Sequence, residues 1–155
     1  MSAQVGLDRT DYMNIPFIRS FEEGVPGQRD PAAQLADMDR DGVDADVIVH
    51  PGYPILLPKN RETRRGMMMA FNDWLAEFCA HDPARLIGIG EIPVWDIPLA
   101  IEEARRVKEL GLKGVLMPAI PGYVGAWSCP ADAPYTSPVY EPLWSALEEL
   151  GLVIV

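Results

Sequence analysis

Two ionisable side chains lie where chemistry is expected, each beside or within an apolar run. His50 directly follows the apolar run 45–49, and an imidazole there can bind a metal ion or move a proton near neutral pH. The alternative is a loop histidine that is hydrogen-bonded to nearby backbone. Glu91 interrupts the apolar run 86–93, where a buried carboxylate needs a partner. It either faces a pocket or pairs with an arginine such as Arg64 or Arg65.

For other reactive or aromatic side chains, the sequence either favours a structural role or does not decide between a structural and a functional role. His81 lies in a helix-to-strand connection, on the side of a parallel sheet that serves stability. Cys79 ends an amphipathic helix and is expected to pack in the core. Tyr123, Trp127 and Tyr135 belong to a long loop, where they either line a pocket or pack the loop onto the sheet. The sequence contains no dinucleotide-binding, P-loop, nucleophile-elbow or His-Glu-x-x-His motif.

Alternating helices and strands must position these groups. Helices are predicted from amphipathic spacing and strands from short apolar runs, with a glycine where each of three helices ends. The predicted helices cover 30–42, 61–80, 96–110 and 141–150, and the predicted strands cover 45–49, 86–93, 113–118 and 151–155. This order predicts an α/β fold with parallel strands, either a small open sheet or half of an eight-stranded barrel.

The same patterns predict which faces are buried. The apolar run Gly151–Val155 is typical of a strand that is covered on both faces. The helix over 96–110 carries a charged face that is expected to point outward. That face consists of Glu102, Glu103, Arg105 and Arg106.

Composition excludes some classes of partner. The 155-residue chain has a net charge of −10, which disfavours nucleic acid and anionic membrane surfaces. It has no apolar run of about 18 residues that would predict a membrane span. The start, Met1–Gly6, lacks the basic and apolar regions of a signal peptide. Cys79 and Cys129 form no Cys-x-x-Cys pair. We therefore expect a cytoplasmic protein.

The order of segments resembles the amidohydrolase-related family, which includes aminocarboxymuconate-semialdehyde decarboxylase and aromatic-acid decarboxylases. Residues Asp30–Ala45 resemble an early helix and turn of that family, and Pro83–Pro93 its strand of arginine, apolar residues, glycine and proline. Glu102–Val115 is similar to its following helix and glycine turn, and Tyr140–Val155 to the helix and strand that lead to a metal-binding histidine. The resemblance covers residues 28–155.

The resemblance implies a partial (β/α)8 TIM barrel over residues 30–155, covering roughly strands 2 to 5, after an irregular βα-loop region over 1–29. It also implies a divalent metal, usually zinc, and a metal-activated water that decarboxylates or hydrolyses a carboxylated small molecule. The family's His-x-His pair does not occur in this sequence. Its next histidine ligand is expected to follow Val155. No metal ligand or catalytic residue is assigned, while His50 and Glu91 match substrate-binding positions at the barrel mouth.

Two hypotheses follow. In the first, the chain is a piece of a metal-dependent hydrolase or decarboxylase, inactive alone, with no tightly bound metal and with exposed barrel edges that promote self-association. In the second, it is a non-catalytic open α/β module that binds a small molecule or a partner subunit.

Overall fold

The computed structural model describes residues 26–49, 60–118 and 133–155. The chain forms two compact units, Met1–Asp44 and Ala45–Val155. None of the helices in these described ranges has both the length and the apolar character needed to cross a membrane. The predicted domain boundary between residues 29 and 30 stays a prediction.

The described part of the first unit contains one helix. A 3-10 turn, Pro26–Gln28, precedes α1, Pro31–Asp41. Asp30 caps the helix because its Oδ1 accepts a hydrogen bond of 2.9 Å from the Ala32 N–H. Gly42 ends it in the left-handed region, with φ of 72°, a conformation that glycine adopts without steric cost. Both ends were predicted from the sequence.

The second unit is a four-stranded parallel sheet that alternates with helices. The strands are β1 (Asp46–Ile48), β2 (Leu86–Glu91), β3 (Gly114–Leu116) and β4 (Val153–Ile154), and the helices are α2 (Arg61–Cys79), α3 (Ile97–Glu109) and α4 (Glu141–Leu150), with a 3-10 turn at Pro138–Tyr140. Strand order in the sheet follows the chain, β1-β2-β3-β4. This arrangement confirms the predicted α/β class and parallel sheet.

The helices of the second unit begin and end where their residues satisfy free backbone groups. The Asn60 side chain caps α2 by accepting from Glu62 N–H at 2.8 Å. Asp96 caps α3 by accepting from Leu99 N–H at 3.1 Å. Gly151, with φ of 62°, ends α4 and turns the chain into β4.

The core lies between the sheet and its helices. Helix α2 packs on β2, and α3 packs on β3 and on α4. The contact layer is made of apolar side chains with little or no exposure. These include Met68, Leu75, Leu86, Val107, Val115, Leu143 and Leu147.

The predicted burial of the closing strand is wrong. Strand β4 covers only Val153 and Ile154, which are 59% and 49% exposed. It pairs with β3 alone and is therefore an edge of the described sheet, so one of its sides has no strand beside it. In the predicted run Gly151–Val155, Leu152 is the buried residue.

The predicted outward direction of Glu103 is also wrong, because its side chain is only 2% exposed. Its carboxylate accepts hydrogen bonds from Asn72 at 2.7 Å and from Arg106 at 2.7 Å. A charged acceptor is tolerated inside the protein when donors satisfy it, which an amphipathic pattern does not reveal.

Candidate functional site

The two faces of β2 are set by its glycines. A Cβ built on Gly88 lies 3.0 Å from Leu75 and 3.1 Å from Cys79, both on α2, and one on Gly90 lies 2.8 Å from Val107 on α3. Even-numbered residues of β2 therefore face the helices. Because side chains alternate along a strand, Ile89 and Glu91 face the opposite side of the sheet.

Glu91 is the last residue of β2 and has 0% exposure. It lies at the carboxyl end of a parallel strand, on the face that points inward in a barrel. Its backbone N–H donates to Asn72 Oδ1 at 2.8 Å, and its backbone oxygen accepts from Asn72 Nδ2 at 2.9 Å. The predicted second mouth residue, His50, lies outside the described residues.

Arg64 and Trp95 occupy the same end of the sheet and are both buried. Arg64 lies in the first turn of α2, and Trp95 lies between β2 and α3. The guanidinium carbon of Arg64 is 5.4 Å from the centre of the Trp95 ring, a cation–π geometry. Burial, and secondarily the charge of Arg61, lowers the pKa of Arg64. Trp95 was not predicted from the sequence as a site residue, although an aromatic residue just after a strand is a usable signal.

A polar network lies behind Glu91 and joins α2 to α3. Arg106 donates to Glu103 from Nε and Nη2, to the Met69 backbone oxygen at 3.1 Å, and to Asp73. Its hydrogen bond to Glu103 outweighs burial and raises the pKa of Arg106, with a further contribution from Asp73. The guanidinium therefore stays charged and holds both helices against the end of β2.

One cleft among the described residues is not on the face of Glu91. It encloses about 520 Å³ between the start of α3 and the start of α4. Its walls are mostly apolar and include Trp95, Ile97, Pro98, Ile101, Val139 and Pro142. Both helices lie on the face opposite to Glu91, so this cleft does not place a ligand beside that carboxylate.

The aromatic residues of the long loop divide between described and undescribed positions. Tyr135 donates its hydroxyl to the Pro118 oxygen at 2.6 Å, and its ring lies edge-on to Tyr140 at 5.1 Å and to Trp144 at 5.7 Å. For Tyr135 this favours loop packing over a pocket role. Tyr123 and Trp127 lie outside the described residues.

The remaining two reactive groups lie at the amino end of β2. His81 is exposed in the turn after α2, as predicted for a residue remote from the mouth. Cys79 is buried in the core, and burial raises the pKa of its thiol to about 11. Neither group lies near Glu91, because Glu91 is at the carboxyl end of β2 and the two groups are at its amino end.

A model of the amidohydrolase family matches residues 10–155. The match covers almost the whole chain, and the parallel sheet that alternates with helices agrees with it. The chain belongs to the amidohydrolase family.

Two curated relatives are decarboxylases. The chain is 37% identical over 82 residues to gamma-resorcylate decarboxylase of Rhodococcus jostii strain RHA1, a match that covers 52% of this chain and 25% of that protein. It is 30% identical over 89 residues to 2-amino-3-carboxymuconate-6-semialdehyde decarboxylase of Dictyostelium discoideum, covering 56% of this chain and 24% of that protein. The matches span about a quarter of each relative's length.

Solved structures give the same relationship. 2,6-Dihydroxybenzoate decarboxylase from Rhizobium superposes with a TM-score of 0.63 at 27% identity, over 78% of this chain and 37% of that one. Dihydroxybenzoic acid decarboxylase from Polaromonas sp. JS666, solved with bound manganese and 2-nitroresorcinol, superposes with a TM-score of 0.62 at 26% identity. The four strands and their helices are therefore part of a TIM barrel, which confirms the predicted partial barrel.

A metal ion is implied by the family, and manganese is bound in the Polaromonas neighbour. Over 26–49, 60–118 and 133–155, no group of three or more His, Cys, Asp or Glu side chains is arranged to hold an ion. A tight site needs three or four protein ligands that converge on one point. The described residues therefore do not fit the metal.

Proposed function

We propose that this chain forms part of a metal-dependent decarboxylase that acts on an aromatic carboxylate. The observation that carries the proposal is the superposition on 2,6-dihydroxybenzoate decarboxylase over 78% of the chain at 27% identity. Decarboxylation is favoured over the hydrolysis that the family also allows, because the curated relatives that match are decarboxylases. A cytoplasmic location stays a prediction.

Glu91 and His50 are proposed as substrate contacts at the barrel mouth. An ionised carboxylate only accepts hydrogen bonds and repels another carboxylate, so Glu91 would face a hydroxyl of the substrate and not its carboxyl group. A ring such as 2,6-dihydroxybenzoate, which a neighbour binds, carries such hydroxyls. Because Glu91 is shielded from solvent, the contact would be made inside a closed site.

The metal is proposed to be divalent. The sequence resemblance favours zinc, whereas manganese is the ion bound in the Polaromonas neighbour. The 155 residues contain only two histidines, and His81 lies at the amino end of β2, away from the mouth. We therefore propose that the 155-residue protein binds neither ion tightly and has no turnover by itself.

The test on the purified 155-residue protein has two readouts. Calorimetric titration with Mn²⁺ and with Zn²⁺ is expected to show no saturable tight binding. Incubation with 2,6-dihydroxybenzoate and either ion is expected to release no CO₂ above a blank without protein. Stoichiometric metal binding together with metal-dependent CO₂ release would contradict the proposal that the chain is only part of the active unit.

The role of Glu91 is testable in a chimera. The chain replaces the matching segment of the Rhizobium 2,6-dihydroxybenzoate decarboxylase, and the change Glu91→Gln is made there. Loss of a charged hydrogen-bond acceptor is expected to lower kcat/KM about tenfold or more. Glu102→Gln is the matched control, because the same chemical change falls on the exposed side of α3. Equal kcat/KM for E91Q and E102Q would remove Glu91 from the site.

A further inference from the structure

Asn72 is a buried amide in the middle of α2 that hydrogen-bonds to the end of β2 and to Glu103 on α3. Its Oδ1 accepts from Glu91 N–H at 2.8 Å. Its Nδ2 donates to the Glu91 backbone oxygen at 2.9 Å and to Glu103 Oε1 at 2.7 Å. Both amide hydrogens and one oxygen lone pair are therefore used inside the core. A mid-helix asparagine has a poor helix propensity, so this position is occupied at a cost to the helix.

The alternation of the sheet explains why Glu91 needs such a partner. The Arg85 oxygen accepts from Asp46 N–H, at β1, and the Gly88 oxygen accepts from Lys113 N–H, beside β3. In a parallel sheet, the backbone N–H and C=O groups of successive residues point to the strands on opposite sides. The backbone groups of odd-numbered residues of β2 therefore point toward β1. The backbone groups of Glu91 therefore point toward the β1 side. The described pairing of β1 with β2 ends before this position, at Ile48 and Gly88.

Asn72 therefore supplies what a neighbouring strand would supply at Glu91, which is one acceptor and one donor. Gly90 makes this possible, because a Cβ there would lie 3.1 Å from Asn72 Oδ1 and 2.8 Å from Val107. Glu103 fixes the orientation of the amide. An ionised carboxylate accepts only, so the nitrogen of Asn72 must face Glu103 and the oxygen must face the Glu91 N–H.

We propose that Asn72 is a positioning residue, which holds the carboxyl end of β2 in extended geometry and so directs the Glu91 side chain to the inner face of the sheet. The functional part of this role rests on the proposed function, since it treats Glu91 as a substrate contact. The positioning itself is a property of the 155-residue protein and is measured without substrate.

The experiment is amide hydrogen exchange by NMR on the 155-residue protein. In Asn72→Leu, which has similar volume but no polar group, Glu91 is expected to lose protection by about tenfold more than Val115 in the neighbouring strand. Leu75→Ala is the matched control: it removes core contacts from the same helix and lowers protection at Glu91 and Val115 together. Parallel loss at both amides in N72L would overturn the proposal.

A second pair of variants distinguishes positioning from space filling. Asn72→Asp keeps the acceptor for Glu91 N–H but sets a carboxylate against Glu103, so protection at Glu91 is expected to fall. Adding Glu103→Gln restores a donor toward position 72 and removes the repulsion, so N72D/E103Q is expected to recover Glu91 protection by about tenfold over N72D. No recovery would overturn the proposal. Because these readouts need no substrate, their failure is distinguishable from failure of the decarboxylase assays.

Discussion

At the scale of single residues, position in the sheet and not residue type separates candidate site groups from structural ones. Glu91 and Cys79 are both buried and ionisable, but Glu91 ends a strand at the barrel mouth, whereas Cys79 ends a helix at the opposite end. For His81 this was predicted from the sequence, because helix-to-strand turns lie on the side of a parallel sheet away from the mouth.

The buried thiol of Cys79 gives a prediction about pH. Because burial raises its pKa to about 11 from the ordinary 9.0, the folded protein retains the proton in that interval while the unfolded chain loses it. The contribution of Cys79 to the free energy of unfolding is therefore full below pH 9.0 and declines as pH rises toward 11.

Alkylation checks this directly. At pH 8, iodoacetamide is expected to leave the peptide containing Cys79 unmodified in the native protein and to modify it fully in denaturant, as read by mass spectrometry. Rapid modification of native Cys79 would contradict the assigned burial.

Asn72 shows where sequence reasoning on the site was incomplete. It lies four residues after Met68 and three before Leu75, which is helical spacing along the buried face of α2. The sequence-based prediction for this helix gave only its range, 61–80, and did not single out Asn72. A polar residue at a core-facing position is a signal of a buried hydrogen-bond network, but its partners, Glu91 and Glu103, are known only once the strand and helix are packed.

At the scale of elements, the ends of helices were predictable and the ends of strands were not. Helix caps act on backbone groups within a few residues, so the local sequence defines where a helix begins and ends. The caps here are Asp30, Asp96, Gly42 and Gly151. Strands end where pairing ends. The predicted run 45–49 became the three residues Asp46–Ile48, because only these pair with β2.

The cap of α3 gives the prediction at this scale. Asp96→Ala removes the oxygen that accepts from Leu99 N–H and is expected to lower the free energy of unfolding by about 1 kcal/mol. Asp96→Asn keeps an equivalent oxygen and serves as the control. The measurement is urea unfolding followed by circular dichroism. A D96A protein as stable as D96N would show that this cap contributes nothing.

At the scale of the whole molecule, the described sheet has two open edges of different character. The β4 edge carries Val153, Ile154 and Val155, all exposed, whereas the β1 edge exposes Val47 and Val49 but begins with the carboxylate of Asp46. Unpaired apolar strands promote association, and acidic side chains on an edge suppress it, more so in a chain of net charge −10. We expect self-association through β4.

Ile154→Lys on β4 is therefore expected to reduce the weight-average mass in sedimentation equilibrium toward that of the monomer. Val139→Lys is the control, because it adds the same charge at an exposed apolar residue outside the strands. Self-association that is equal in I154K and in the unchanged protein would exclude the β4 edge as the contact.

The fold class followed from the order of segments, because alternating elements with short αβ turns admit few topologies, whereas the partial barrel was implied by the family resemblance. The burial of β4 was mispredicted, since apolarity alone does not reveal whether a second strand lies beside it. No metal ligand was assigned from the sequence, because the family's His-x-His pair does not occur in it.

The most direct test of the central claim is metal-dependent CO₂ release by the chimera in which this chain replaces the matching segment of the Rhizobium decarboxylase. After removal of metal by a chelator, addition of Mn²⁺ or Zn²⁺ is expected to restore release of CO₂ from 2,6-dihydroxybenzoate. The matched reference is the parent enzyme carried through the same treatment. A folded chimera that binds the metal but releases no CO₂ would contradict the assignment of this chain to a decarboxylase barrel.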